Sequence, residues 1–471
     1  MEMNSRAFVG MYNLRLLKIF NSRFGNNCKV HLPHGLESLS EELRYLHWNL
    51  ASLKEINLSN SKHLTAFPDI SQAKNLERLN FEYCTSLLEV PSSIPFLDKL
   101  VDMNMRCCTS LMNLPNFAGN IMYLNLNESA IEELPKSIGH LSGLVALNLR
   151  DCKRLRNLPY SVHLFKSLMT LDISRCSNIT RFPNISGDVR YLYLTETAIE
   201  EAPSSIGCLS RLSCLDLKNC IRLKDLPSTI FKLATLEKLI LSGCANITKF
   251  PQVSGKIKLL FLDGTAIKKI PSSIEYCSEL VELNLQNCKR FHILPSGICK
   301  LKSLQKLNLS GCSTFESFPE ILEVMGSLRY LYSDGTAIRK LPTPNENLES
   351  LSSLELSYCS DLCLSQGMIL GGDNSRENLP TLQALDLSGN HFRKIPESIK
   401  ELTELQYLSL KFCRRLTKLD ADDCFFLIKI STDSSGGESS VFFHGSHIPK
   451  WFGHRARGSS TTIQLPSHWA N

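Results

Sequence analysis

The chain has 471 residues, of which 43% are hydrophobic and 21% charged, and a formal net charge of +6. Its Lys and Arg are interspersed with Asp and Glu, which excludes the clustered basic footprint of a nucleic-acid binder. No apolar run is long enough to cross a bilayer as a helix, and the first residues lack the apolar core of a signal peptide.

Residues 1–52 are expected to form an irregular N-terminal cap. Within them Asn13-Leu-Arg-Leu-Leu-Lys-Ile predicts a strand, and Leu43-Arg-Tyr-Leu-His-Trp reads as the start of a worn repeat. From Leu53 onward one spacing takes over. It is clearest between Val189 and Lys256, where three consecutive stretches begin L-x-x-L-x-L from Val189, Leu212 and Leu236. Each places Thr197, Cys220 or Cys244 eight residues after its first apolar position, and each closes on a proline, at Pro203, Pro227 and Pro251. The spacing recurs in sixteen units, from Leu53 to the unit that opens at Leu405.

A period of this length is the leucine-rich-repeat pattern. The last two apolar residues of L-x-x-L-x-L are two apart and share one face of a short strand. The eighth-on residue turns the chain inward, and the proline-containing half returns it. One unit cannot bury its apolar side alone, so neighbours must stack. The expected fold is therefore an α/β leucine-rich-repeat solenoid over residues 53–420. It would be a curved horseshoe with a parallel sheet on the concave face and short helical or extended turns on the convex face. Unit lengths of 23, 24 and 21 residues occur in that order three times between Leu53 and Lys256, which reads as tandem duplication of three-unit blocks.

The unit from Leu351 is longer than the rest. Its excess includes Gly371-Gly-Asp-Asn-Ser-Arg-Glu-Asn, a loop composition, and Asp373 and Arg376 on that loop are candidate contact residues because loops on rigid scaffolds often carry contacts. Residues 421–440 read as a linker, rich in Ser and Gly at their end. Residues 441–471 read as part of a β-rich domain, with Trp451 as a candidate contact; the sequence ends before such a unit is expected to close its core.

Ten of the eighteen cysteines occupy the eighth-on position, among them Cys84, Cys108, Cys152 and Cys176. A reduced, buried thiol is the expectation there. The alternative is a disulfide between adjacent units, whose strand spacing of about 4.8 Å falls inside the disulfide Cα window. No C-x-x-C is present, so zinc is not expected. This cysteine usage points to a reducing compartment.

The sequence contains no H-E-x-x-H, no G-x-S-x-G and no G-x-x-x-x-G-K-S/T phosphate loop. No active site and no cofactor are expected. The residues that flank the buried leucines on the strands are the better candidates. An asparagine row (Asn57, Asn80, Asn104, Asn125, Asn148) lies between the leucines of successive units and is expected to hydrogen-bond along the ladder. Aromatic residues interrupt the polar face: Tyr123, Tyr191, Tyr193, Phe261, Tyr330 and Tyr332 all fall in units carrying Ser/Thr-Ala-Ile. Exposed aromatics are enriched at protein interfaces, although the same rings could merely shield neighbouring leucines.

Together these residues resemble the plant intracellular immune receptors of the TIR–nucleotide-binding–leucine-rich-repeat class. The resemblance is carried by Ala7-Phe-x-Gly-Met-x-Asn-Leu-Arg, Leu32-Pro-x-Gly-Leu-Glu-x-Leu and Leu43-Arg-Tyr-Leu-His-Trp at the start. Pro68-Asp-Ile-Ser-x-Ala-x-Asn-Leu-Glu and Leu147-Asn-Leu-x-x-Cys carry it within the repeats, and Gly445-Ser-x-Ile-Pro-x-Trp-Phe carries it near the end. The resemblance implies a post-repeat jelly roll (C-JID), here expected to be partial, and one or two repeats after Trp48 that this sequence lacks. It implies a role in defence signalling, a protein ligand that is a pathogen effector or a host protein, and residence in the cytoplasm or nucleus. The class's NAD-cleaving and nucleotide-switch activities belong to domains whose motifs this sequence does not contain. No nucleic-acid or membrane partner is expected, and the oligomeric state is left open. An intracellular adaptor or scaffold, and a nonfunctional fragment of a resistance gene, remain as alternatives.

Overall fold

In the computed structural model each repeat opens with a strand of three residues whose middle side chain is buried, as Leu192 is within Tyr191–Tyr193. The structure describes residues 53–340 (save Pro68 and Ser254), 345–359, 361–362, 379–393, 399, 402–413 and 415, and the backbone of 16–18, 45–47 and 429–431. The 371–378 loop, the 421–440 linker apart from 429–431, and the 441–471 segment lie outside the described residues. So do the sequence candidates Asp373, Arg376 and Trp451.

The chain divides into two compact units, residues 1–244 and 245–471. In the first, nine strands from Glu55–Asn57 to Lys238–Ile240 pair in parallel, each with its neighbour in sequence. The register is strict. Leu215 lies opposite Leu192 on one side and Leu239 on the other, so the middle leucines form one buried row. A separate parallel pair, Leu16–Lys18 with Tyr45–His47, contains the strand expected from Asn13 onward and the worn repeat at Leu43.

In the second unit, strands from Leu259–Phe261 to Tyr407–Ser409 pair in the same way. Lys429–Ser431 pairs next to Tyr407–Ser409, past the point where the leucine spacing ends. The architecture within each unit is that of a leucine-rich-repeat solenoid.

The helical elements of the return half are short 3-10 turns. Proline starts most of them: Pro203 sits at φ −65° and ψ 144°, and Ser204–Cys208 follows as a 3-10 helix with Ile206 buried. The ring fixes φ near the value this corner needs. The Ile206 amide donates to the Pro203 carbonyl at 3.1 Å, and the isoleucine side chain drops into the core. The same arrangement follows Pro135, Pro227, Pro271 and Pro295.

After each strand of the repeat the chain takes a left-handed residue one position before the eighth-on residue. Eleven of these are not glycine, from Asn60 at φ 64° to Phe412 at φ 57°. Glycine fills the rest, and at Gly243 an added Cβ would overlap the Asn219 carboxamide of the preceding repeat. This corner aims the next side chain inward. Cys84, Cys152 and Cys220 are fully buried there, and each thiol donates to a carbonyl of the preceding repeat: Leu58 at 3.0 Å, Leu126 at 3.1 Å and Leu194 at 3.1 Å. The cysteines of the described residues are free thiols. Burial pushes the Cys84 thiol up to about 12 and the Cys152 thiol up to about 11, so both stay protonated and serve as donors.

Candidate protein-recognition face

The strand residues on either side of each buried leucine make one continuous face within each unit. Its third column is mostly Asn or Asp, and the structure gives that column a local task. The side-chain oxygen of Asn80 accepts from the amide of Glu82 at 2.9 Å, that of Asn148 from Arg150 at 3.0 Å, and that of Asp216 from Lys218 at 2.9 Å. Each is an Asx turn that leads into the left-handed corner. The expectation of hydrogen bonding along the ladder is thus corrected: the oxygen serves its own repeat. Cross-strand bonds are additions, as where Asn284 Nδ2 donates to Asp263 Oδ1 at 3.2 Å.

The aromatic candidates stand out against this column. Tyr193, Phe261 and Tyr332 occupy it in place of Asn or Asp. A phenol or phenyl ring cannot supply the Asx acceptor, so these rings do not serve the turn. They are half-buried, whereas Tyr123, Tyr191 and Tyr330, in the first column, are 46%, 41% and 40% exposed. Tyr330 and Tyr332 stack with ring centroids 6.4 Å apart. Tyr123 and Tyr191 sit three strands apart in the first unit, and Phe261 and Tyr332 three strands apart in the second. That is about 14 Å at ordinary strand spacing, so the structure forms separate aromatic spots within each unit.

Carboxylates flank the third-column tyrosines. Tyr193 has Asp172 and Asp216 as register partners on the two adjacent strands. Burial raises its phenol above the usual range, and those two carboxylates add to the shift. Tyr332 has Glu355 beside it, followed by Asp386 on the next strand. Burial lifts the Glu355 carboxyl above the carboxylate range, and Asp334 and Asp386 lift it further. Lys306 answers part of this charge: its Nζ is 3.1 Å from Glu282 and 5.6 Å from the centroid of the Tyr332 ring. A ring bordered by carboxylates attracts a cationic side chain, through the ring face and by direct pairing.

The turn edge of the first unit adds alternating charge. Arg106 lies 3.1 Å from Glu82 and 3.8 Å from Glu128, and Arg175 lies 3.8 Å from Asp151 and 3.4 Å from Glu196. Exposed pairs of this kind add little stability. Sequence reasoning singled out the aromatics but drew nothing from the acids that share their position in the adjacent repeats. The signal was available in the sequence, as an acid one repeat before and after a Tyr at the same position. Among the described residues no helix is long and apolar enough to cross a membrane, and no group of three or more His, Cys, Asp or Glu could hold a metal ion.

Residues 164–251 match a family described as "Disease resistance protein RPS4B-like, leucine-rich repeats". Residues 443–471 match the C-JID domain, and 279–301 and 381–402 match the general leucine-rich repeat. Among Arabidopsis thaliana proteins, the chain is 29% identical to Disease resistance-like protein DSC1 over 100% of its own length and 39% of that protein. It is 28% identical to Disease resistance protein RPS4B over 99% of its length and 34% of that protein. With the protein SUPPRESSOR OF npr1-1, CONSTITUTIVE 1 it shares 33% identity over 89% of its length and 33% of that protein. The chain thus spans about a third of the length of the curated relatives it matches. Among solved structures, a leucine-rich-repeat protein of Leptospira interrogans aligns with a TM-score of 0.53 at 22% identity, covering 82% of this chain and 97% of that one, a likeness of fold alone. The chain is thus built of leucine-rich repeats, of which residues 164–251 match those of RPS4B-like disease resistance proteins, and its residues 443–471 match the C-JID domain.

Proposed function

We propose that the chain is the protein-recognition part of a plant defence receptor and that it binds a pathogen effector or a host protein through the strand face. One observation carries this reading: Tyr193, Phe261 and Tyr332 stand in a column where most repeats use Asn or Asp to hold their own turn. A ring at that position gives up a local hydrogen bond and presents apolar area, and the carboxylates beside Tyr193 and Tyr332 suit a partner with basic side chains. The 371–378 loop, with Asp373 and Arg376, and the C-terminal segment around Trp451 extend the contact in this reading. The free thiols of the ladder support a reducing location within the cell.

The test is retention of a partner from plant cell extract on the purified chain. It is compared with a variant in which Tyr191, Tyr193, Phe261, Tyr330 and Tyr332 are all Ala and whose circular dichroism and melting match the parent. Loss of the partner in the variant supports the reading. Equal retention by both moves the contact off the strand face.

A further inference from the structure

The residue that follows the first apolar position of each repeat lies at the edge where the strands begin. It is polar or charged in most units, as at Lys54, Glu77, Arg190, Ser213 and Glu237. In four consecutive repeats it is not: Val101, Met122, Val145 and Met169 stand there in succession. All four are half-buried, and each immediately precedes one of four neighbouring parallel strands. They line one side of a groove of about 550 Å³, and Arg190 and Arg211 lie along it at one end. Arg211 pairs with Asp188 at 3.1 Å, and Arg190 is exposed. At the other end the same edge position carries Glu77, which pairs with Lys54 at 3.0 Å.

We propose that this strip holds one amphipathic α-helix of a protein partner, lying across the strands with its C-terminal end toward Arg190. The inference rests on the reading that the chain receives a protein. Spacing selects the helix. Neighbouring strands are about 4.8 Å apart, so four of them offer apolar side chains at about 0, 5, 10 and 14 Å. A helix brings a side chain back to one face every ~5.4 Å, or about 16 Å over three turns. An extended segment returns one every ~6.7 Å, or about 20 Å over three steps, and falls out of register. Leucines at heptad-like spacing on one helix face therefore meet Val101, Met122, Val145 and Met169 in turn.

Charge fixes the direction. The C-terminal end of a helix carries partial negative charge and the N-terminal end partial positive charge. Arg190 suits the first and Glu77 the second. An acidic residue one turn beyond the last leucine gains a direct partner in Arg190. A cationic one there meets like charge.

The experiment uses the full chain and a synthetic, side-chain-stapled helix of ~18 residues with fluorescein at its N-terminus. The helix carries four leucines at a/d spacing, Glu one turn after the last of them, and polar residues elsewhere. Fluorescence anisotropy is read against the parent, Val145→Glu, Met122→Glu and Arg190→Glu, each checked by circular dichroism. The expected result is binding to the parent that weakens at least tenfold with either apolar-to-Glu variant. Arg190→Glu is expected to weaken the Glu helix and to bind a helix with Lys in that place more tightly than the parent does. No binding to the parent, or binding that a folded Val145→Glu or Met122→Glu leaves unchanged, overturns the proposal. The two readings fail separately. A cell-extract partner lost in the tyrosine variant but kept by Val145→Glu removes the helix site alone. A stapled helix held at the strip, with extract partners indifferent to the tyrosines, removes the strand-face reading alone.

Discussion

The thiol of Cys220 and the hydroxyl of Thr197 both donate to the carbonyl of Leu194, at 3.1 and 2.8 Å, so two successive repeats are tied to one backbone oxygen. The same pairing recurs at Cys288 and Thr265 on Leu262, at 3.1 and 2.7 Å. A buried carbonyl left without its donors is costly, and here each cysteine covers a carbonyl of the repeat before it. Cys220→Ala removes a buried donor and the sulfur that fills its site. The expected loss is about 1–2 kcal/mol, read as a lower urea midpoint of the cooperative transition.

Thiol reactivity is predicted to split by position. Cys208 is exposed on its 3-10 turn, whereas the ladder thiols are buried and, at Cys84 and Cys152, pushed up to about 12 and about 11. The thiolate is the reactive form. Maleimide labelling followed by peptide mass spectrometry at neutral pH is expected to modify Cys208 in the folded chain. Cys84 and Cys152 are expected to label only after denaturant is added.

Much of this was legible in the sequence because the repeat constrains it. Leu192 and Leu194 had to be buried two apart, and the eighth-on residue had to turn inward; both do so. The cysteine position was readable as a buried thiol, but its acceptor was not, since the carbonyl of Leu194 belongs to another repeat and only stacking brings it near. The Asx role of Asn80 and its equivalents was hidden for a different reason. An Asn between two leucines fits a bond to the next strand as well as a bond two residues on, and only the left-handed corner at Tyr83 decides for the latter. The tyrosines were visible as anomalies. That Asp172 and Asp216 border Tyr193 was implied by their shared repeat position, and the strand register sets them side by side. The apolar strip at Val101 and Met122 went unread because single apolar residues at a strand edge carry no signal until four are seen side by side.

Ser333 replaces the second of the paired leucines in its repeat and is fully buried, and its hydroxyl has no hydrogen-bond partner among the described residues. An unpaired buried hydroxyl opposes folding. Ser333→Ala is nearly isosteric and is expected to stabilise the second unit by about 1 kcal/mol, seen as a higher melting temperature. A drop in melting temperature would mean that the hydroxyl is satisfied in solution.

Glu355 supplies a pH dependence whose sign follows from its raised carboxyl. Its ordinary value is 4.5, and burial, Asp334 and Asp386 lift it in the folded state. Between the ordinary and the raised value the folded chain binds more protons than the unfolded one, so stability falls as pH climbs through that window. The penalty is complete above the raised value. Glu355→Gln is expected to raise stability at pH 7, with the gain disappearing below pH 4.5, where both states are protonated. Denaturant titrations of parent and variant across this range check both the sign and the window.

The central claim is that the strand face, and not the helical side, meets the partner. It is tested most directly by placing a photo-crosslinking benzoylphenylalanine at Tyr330, or instead at Tyr276 on the 3-10 side. Both residues lie in the second unit and are 40% and 66% exposed. Each full-length protein is irradiated in plant cell extract and its adducts are identified by mass spectrometry. The account predicts a discrete protein adduct at position 330 and none at position 276. An adduct at 276 with none at 330 would contradict it.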